Sequence, residues 1–236
     1  MQKAVWGWED LDLLPLRLFV VARKIEGQVI GAFEPSGKMI GFCLAVPALH
    51  GSTVYLHSHM LAVLSEYREQ GIGQRLKWEQ RRNALSRGIG LIEWTFDPLE
   101  VKNAYFNLER LGAVARRYVE NQYGISSSPL HRGLPTDRLV AEWWLESPRV
   151  AALSKRESVE RGEIRQRIAV PLDVAQGSAP GKSLAEFQLA LRRQFQEAFA
   201  KGLAVVGFEI SEKTGTYVLG SWMPQRQGNP KDREEI

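Results

Sequence analysis

Apolar residues between Gln28 and Ala48 fall into two short blocks, Gln28 to Glu34 and Lys38 to Ala48, split by Pro35-Ser36-Gly37. Two strands joined as a β-hairpin are predicted, because proline and glycine supply the backbone angles that a turn requires. Upstream, Glu9 to Lys24 sets Leu11, Leu14, Leu18 and Val21 or Ala22 near one face of a helix, with Pro15 disturbing it. Downstream, Thr53 to Val63 is rich in β-branched, aromatic and apolar types, the mark of a largely buried strand. Gln74 to Arg87 lacks proline and glycine and favours helix until Gly88 and Gly90 stop it. Leu91 to Phe96 then predicts a strand ended by Asp97-Pro98. Glu100 to Leu111 predicts a second helix, stopped by Gly112. Ala113 to Tyr123 and Arg138 to Leu145 are further strands, separated by a loop of serine, proline, glycine and histidine.

The pattern then changes. Residues 147–164 are charged and predict a linker or a solvated helix. Ile168 to Val174 is strand-like, and Ser183 to Lys201 predicts a helix with Ser183 as cap and Glu186 completing a capping box. Leu203 to Ile210 and Thr216 to Trp222 predict a final hairpin, and the polar segment from Gln225 to Ile236 a frayed end. Four units are expected: a domain over 1–146, a linker over 147–164, a smaller β-α-β-β unit over 165–224 and a flexible tail over 225–236.

Composition bounds the chemistry. The 236 residues are 44% hydrophobic and 25% charged, as in ordinary globular proteins, and suffice to bury a core. A formal charge of +4 fits an anionic ligand or simply a basic surface. Cys43 is the only cysteine and lies in an apolar run, which makes it a small core residue and excludes an intramolecular disulfide. No signal peptide is apparent, and no apolar run approaches the ~20 residues of a membrane span, so a cytoplasmic protein is expected. Ligands at metal spacing are absent, and no metal is expected.

The segment Arg68-Glu69-Gln70-Gly71-Ile72-Gly73 lies between the long strand and the helix after it. A glycine turn opening a helix offers unpaired backbone N–H groups at the positive end of the helix dipole, which is a seat for a phosphate. Gly71 and Gly73 would permit close backbone approach and φ values closed to larger residues. The plainer reading is a structural loop. Arg75, Lys77, Arg81, Arg82 and Arg87 spread around the helix rather than forming a stripe, and most are expected in solvent.

The order helix, hairpin, long strand, R-x-x-G-x-G turn, helix, strand and helix resembles the Gcn5-related N-acetyltransferase (GNAT) superfamily. Val63 to Leu76 is similar to its acetyl-CoA signature, and Asn103-Ala104 with Glu109-Arg110-Leu111-Gly112 to the motif on its next helix. Trp94-Thr95-Phe96-Asp97-Pro98-Leu99 resembles a bacterial branch of predicted acetyltransferases. The resemblance spans roughly residues 5–146. It implies an α/β (α+β) GNAT fold, a mixed central sheet flanked by helices, here with the extra C-terminal β-α-β-β unit. It implies acetyl-CoA as co-substrate, with amides of Gln70, Gly71, Ile72, Gly73 and Gln74 around the pyrophosphate and Arg68 at the phosphate or bracing the loop. The backbone of Leu61, Ala62 and Val63 would bind the pantetheine arm and polarise the thioester, while Asn103 and Asn107 face its amides. A small-molecule or peptide amine would attack the thioester directly.

An alkyl amine with a pKa near 10.4 spends ~4–5 kcal/mol to lose its proton at pH 7, so a base is expected. Glu93 and Asp97 on one strand and His57 and His59 on its neighbour are the candidates, although Asp97 also suits a turn before Pro98. In much of the superfamily a tyrosine four residues before the helix-ending glycine protonates the departing thiolate. Leu108 stands there, and Tyr105, three residues earlier, is the nearest tyrosine. Trp94, Trp143 and Trp144 suit an acceptor pocket or core packing. The family's opening strand has no counterpart before Trp6. Either the unit from Ile168 to Trp222 packs on the sheet or over the acceptor cleft, or the start omits upstream residues. A homodimer is an open possibility. The competing classes are a non-catalytic acyl-CoA-binding or regulatory module and, resting on basicity alone, a nucleic-acid-binding protein.

Overall fold

The computed structural model describes residues 1–124, 133–159, 161–175 and 184–223. The expected cap Ser183 and the tail from Gln225 lie outside them. A short helix α1 (Gln2–Trp6) opens the chain, followed by a 3₁₀ turn at Asp10–Asp12 and helix α2 (Leu16–Lys24). Pro15 divides what the periodicity predicts as one helix: its ring cannot donate the N–H that a continuous helix needs. Strands β1 (Gln28–Phe33), β2 (Met39–His50) and β3 (Thr53–Val63) form an antiparallel meander. Helix α3 (Ile72–Leu85), strand β4 (Leu91–Phe96), helix α4 (Val101–Tyr105), strand β5 (Val114–Val119) and strand β6 (Arg138–Trp144) follow. Inside the expected 147–164 linker, α5 (Pro148–Ser154) is capped by Ser147 and buries Val150. Strand β7 (Ile164–Pro171), helices α6 (Leu172–Ala175) and α7 (Leu184–Ala200) and strands β8 (Leu203–Ile210) and β9 (Thr214–Ser221) complete the described chain.

The nine described strands join one mixed sheet in the order β1-β2-β3-β4-β6-β5-β8-β9-β7. The β3–β4 pair is parallel, and the other described pairs are antiparallel. Strand β8 enters beside β5 at Ala115↔Val205, and β7 pairs with β9 rather than β8. One apolar core runs through both halves, from Leu56, Trp94 and Leu108 to Phe195, Phe208 and Tyr217. A smaller core under α1 and α2 packs Ala22 and Phe19 on Phe42, Leu44 and Met60, on the sheet face opposite α3.

Polar ties at buried sites register the halves. Arg192 of α7 donates to both oxygens of the fully buried Asp137 at 2.9 and 3.0 Å, and the Tyr118 hydroxyl donates to the same carboxylate at 2.7 Å. Tyr217 donates to the Pro98 carbonyl at 2.8 Å, and Glu109 accepts from the Phe208 amide at 2.7 Å. Arg149 reaches the carbonyls of Leu108 and Val206, each at 2.5 Å.

Candidate active site

Strands β3 and β4 share only two registers, Leu56↔Ile92 and His57↔Glu93, and then part. Beyond that point lies a cavity of about 500 Å³. Its walls come from Ser58 to Leu61 on β3, Trp94 to Asp97 at the end of β4, and Asn103, Phe106 and Asn107. Lys77 lines it from the α3 side, and Trp6 and Trp8 from the α1 side. The cavity therefore passes through the sheet at the parted strands.

A β-bulge shapes the β3 wall. Leu44 pairs with Met60 and Ala45 with Ser58, which leaves His59 opposite no residue of β2. The extra residue reverses the alternation of side chains. Ser58 turns in toward α3, where its hydroxyl donates to Gln80 Oε1 at 3.1 Å, whereas Met60 joins the core under α2. Leu61 falls back on the α3 side, near Gly73.

At the end of β3 a 3₁₀ turn, Ser65–Tyr67, leads into the glycine turn. Gly71 caps α3 in the left-handed region, with φ 77°, and no side chain fills the cap. The first intrahelical bond runs from the Arg75 amide to the Gly71 carbonyl, so the amides of Ile72, Gly73 and Gln74 have no acceptor within the helix. Glu69 also has positive φ, at 63°, and its carboxylate meets Lys102 at 3.0 Å. Arg68 braces the loop: its Nε donates to the Val63 carbonyl at 3.2 Å. Gln70 ties back to the Glu66 carbonyl at 3.1 Å, and Gln74 reaches the Arg110 carbonyl at 3.4 Å. Of the two signature glycines, only Gly71 needs its conformational freedom. Gly73 has an ordinary φ, and a methyl there would meet Val63 and Leu61 at 3.8 and 3.9 Å, normal contact distances. A side chain at Gly73 would instead extend toward Leu61 and Phe106, which line the cavity.

Helix α4 passes into one wide turn, Phe106–Arg110, closed by the Leu111 amide donating to the Phe106 carbonyl at 3.1 Å. Such i→i+5 turns add a residue to the helix and shift the faces on either side of it. Asn107 lines the cavity, with its Oδ1 accepting from the Trp94 indole at 3.1 Å, and Leu108 is fully buried in the main core. Asn103 and Asn107 share the cavity wall, as their one-turn spacing predicts. Tyr105 packs against the main core, with the Arg110 guanidinium 5.5 Å from its ring centre, and does not line the cavity.

The candidate bases separate. Glu93 is buried on the sheet face away from Trp94 and ion-pairs with Arg117, whose Nε also lies 3.5 Å from Glu142. Neighbours on a strand point to opposite faces, so Trp94 toward α3 sends Glu93 the other way. Asp97 does line the cavity, but its Oδ1 accepts from the Leu99 amide at 2.8 Å and its Oδ2 lies 3.7 Å from Arg138. It thus serves the turn before Pro98 as well as facing the cavity. His57 and His59 have ring centres 6.2 Å apart, and burial pushes both below the usual histidine value. Trp94 lines the cavity. Trp143 is core and donates to the Leu111 carbonyl at 2.7 Å, and Trp144 packs beside Trp222.

Lys77 corrects the expectation of solvated basic residues along α3. It is 2% exposed, with Nζ donating to Ser58 Oγ at 3.1 Å and standing 3.7 Å from the Trp94 ring centre. Burial pushes it down to about 7. The helical period carried the signal: Leu76, Lys77, Gln80 and Ala84 form the buried stripe of α3, and a lysine within such a stripe faces the sheet rather than the outer surface. Arg81 is also tied down, to the Leu145 carbonyl at 2.9 Å.

Residues 3–112 match the model of the acetyltransferase (GNAT) family. No curated protein matches the chain significantly. Among the solved structures similar to it, an aminoglycoside 6'-acetyltransferase type Ii is 23% identical over 54% of this chain and 75% of its own, with a TM-score of 0.42. A GNAT family acetyltransferase from Elizabethkingia anophelis with acetyl-CoA bound is 16% identical, over 58% and 90%, with a TM-score of 0.43. The NatB acetyltransferase complex bound to CoA and MES is 16% identical, over 60% and 89%, with a TM-score of 0.46. Parted strands, a left-handed glycine opening α3 and a family match that ends on Gly112 coincide within residues 3–112, the part of the chain that is similar to the GNAT acetyltransferase family.

Proposed function

We propose that the protein is an acetyl-CoA-dependent acyltransferase that moves an acetyl group to an amine by direct attack on the thioester. One juxtaposition carries the reading. The free amides at the start of α3 stand at the end of β3, and β3 leaves β4 just where a cavity passes through the sheet. A ligand with an anionic group on the helix end and an extended arm along β3 suits that path. Amides of Ile72, Gly73 and Gln74 would hold the pyrophosphate. The backbone of Leu61, Ala62 and Val63, with Asn103 and Asn107 opposite, would hold the arm. The acceptor would approach past Trp6 and Trp8, and a small-molecule or peptide amine is the class proposed.

Acetyl-CoA should raise the melting temperature, and a screen of primary amines should then release CoA thiol. Binding without release on any amine favours the second reading, a non-catalytic acyl-CoA-binding module. Leu108 in the core and Tyr105 off the cavity support that second reading. No described helix is long and apolar enough to cross a membrane. A cytoplasmic location and a homodimer remain parts of the proposal, the latter supported by exposed Leu16, Val20 and Phe33 and read by light scattering.

A further inference from the structure

Buried lysines are uncommon, and those that persist are usually paired with a carboxylate. Lys77 has no carboxylate within ion-pair distance among the described residues. Its partners are one hydroxyl, Ser58, and the faces of Trp94 and Trp143, 3.7 and 5.4 Å from Nζ to the ring centres. Indole faces and a hydroxyl acceptor tolerate an ammonium without fixing it in place, whereas a carboxylate would lock the charge. The same nitrogen lies on the cavity wall, beside the gap between the parted strands.

We propose that Lys77 is the proton acceptor for the incoming amine: Nζ takes a proton from the acceptor's ammonium form inside the cavity. This rests on the acyl-transfer reading. The freed nitrogen lone pair forms the C–N bond at the thioester carbonyl while the C–S bond breaks. The nitrogen's second proton goes to the departing sulfur, giving an amide and free CoA thiol. Lys77 then returns its proton to solvent through the cavity mouth.

The surroundings of Lys77 suit the role. Cys43, from β2, is pushed by burial up to about 12 and stays neutral. His57 is pushed down by burial, with His59 and Lys77 adding to the effect, and His59 is pushed down by burial, so both are neutral at pH 7. Across the cavity stand the carboxylates of Asp12, Asp97 and Glu100 and the Arg138 guanidinium. Lys77 itself, at about 7, divides between its two forms near neutral pH. Glu93 is held by Arg117 and Asp97 by its turn, so neither competes on equal terms.

The test pairs primary amines with their β,β-difluorinated analogues, which have nearly the same shape but deprotonate more readily. Thiol release is followed against pH for wild type and Lys77→Met, with acetyl-CoA affinity measured by calorimetry. Lys77→Met should bind acetyl-CoA within about threefold of wild type. It should lose ~10²–10⁴-fold in kcat/KM for each parent amine and under tenfold for its fluorinated partner. Equal loss for both members of a pair, or no loss, overturns the role. Should Lys77→Met not fold, wild type decides alone. An acidic limb that stays near pH 7 across each pair supports Lys77, and a limb that follows the amine's own pKa overturns it. Wild type that binds acetyl-CoA yet releases no thiol with any amine overturns acyl transfer itself, and the role with it.

Discussion

The Trp94 indole donates to Asn107 Oδ1 across the cavity wall, so strand β4 and the wide turn of the following helix hold one another in position. Replacing Asn107 by leucine removes the acceptor and leaves a buried N–H unpaired. Asn107→Leu should lower unfolding stability by ~1–3 kcal/mol, read from the guanidinium midpoint.

The two glycines of the turn should respond differently. Gly73→Ala places its methyl at ordinary contact distances and asks for no unusual φ, so the melting temperature should barely move. Acetyl-CoA affinity should nevertheless fall tenfold or more by calorimetry, because the methyl would narrow the path between α3 and the cavity-lining Leu61 and Phe106 where the ligand is proposed to lie. Gly71→Glu adds strain at φ 77° and a negative charge, and should abolish binding. Unchanged affinity in either variant would move the pyrophosphate elsewhere.

Lys77 should make stability rise with pH. Its folded value, about 7, lies below a lysine's ordinary 10.5, so between those limits the unfolded chain binds more protons than the folded one. The penalty, ~4–5 kcal/mol at most, is fully present below pH 7 and is relieved as pH rises toward 10.5. Lys77→Met should melt above wild type at pH 7, and the gap should close by pH 10. A gap independent of pH would show that the ammonium is not destabilised.

Arg192→Ala should leave the fully buried Asp137 carboxylate, among the described residues, with only the Tyr118 hydroxyl and the Asn121 amide. Losing one partner of a buried ion pair costs ~3–5 kcal/mol. Because Arg192 lies on α7 and Asp137 just before β6, the whole chain should unfold at lower denaturant in a single transition. Two separated transitions would mean that the halves fold independently.

Alternation and turn chemistry made β1, β2, β3 and β4 and the glycine turn legible, since each depends on neighbours in sequence. The π-type turn was not legible. It follows from Gly112 and Leu111 being held against β6 and α5, contacts made by residues tens of positions away. Strand β7 starts at Ile164, four residues earlier than its apolar pattern, because pairing with β9 recruits Ile164 and the polar Gln166 and Arg167, with Arg165 unpaired at the register shift between them. Glu93 and Asp97 look equivalent at period two, yet the strand ends between them and only the second reaches the cavity. Lys77 was readable from helical period and was hidden by its charge, which ordinarily signals a solvated position.

The carbonyl of Leu108 and the carboxylate of Glu109, one and two residues beyond Asn107, are gripped from behind by Arg149 and by the Phe208 amide. The cavity wall is thus anchored to α5 and β8, none of whose described residues lines the cavity. A chimera joining residues 1–146 to another protein's C-terminal half would inherit every group of the site and still lack the backing that sets their spacing. Substitutions in α5 or β8 should accordingly surface as altered turnover before they surface as lost fold.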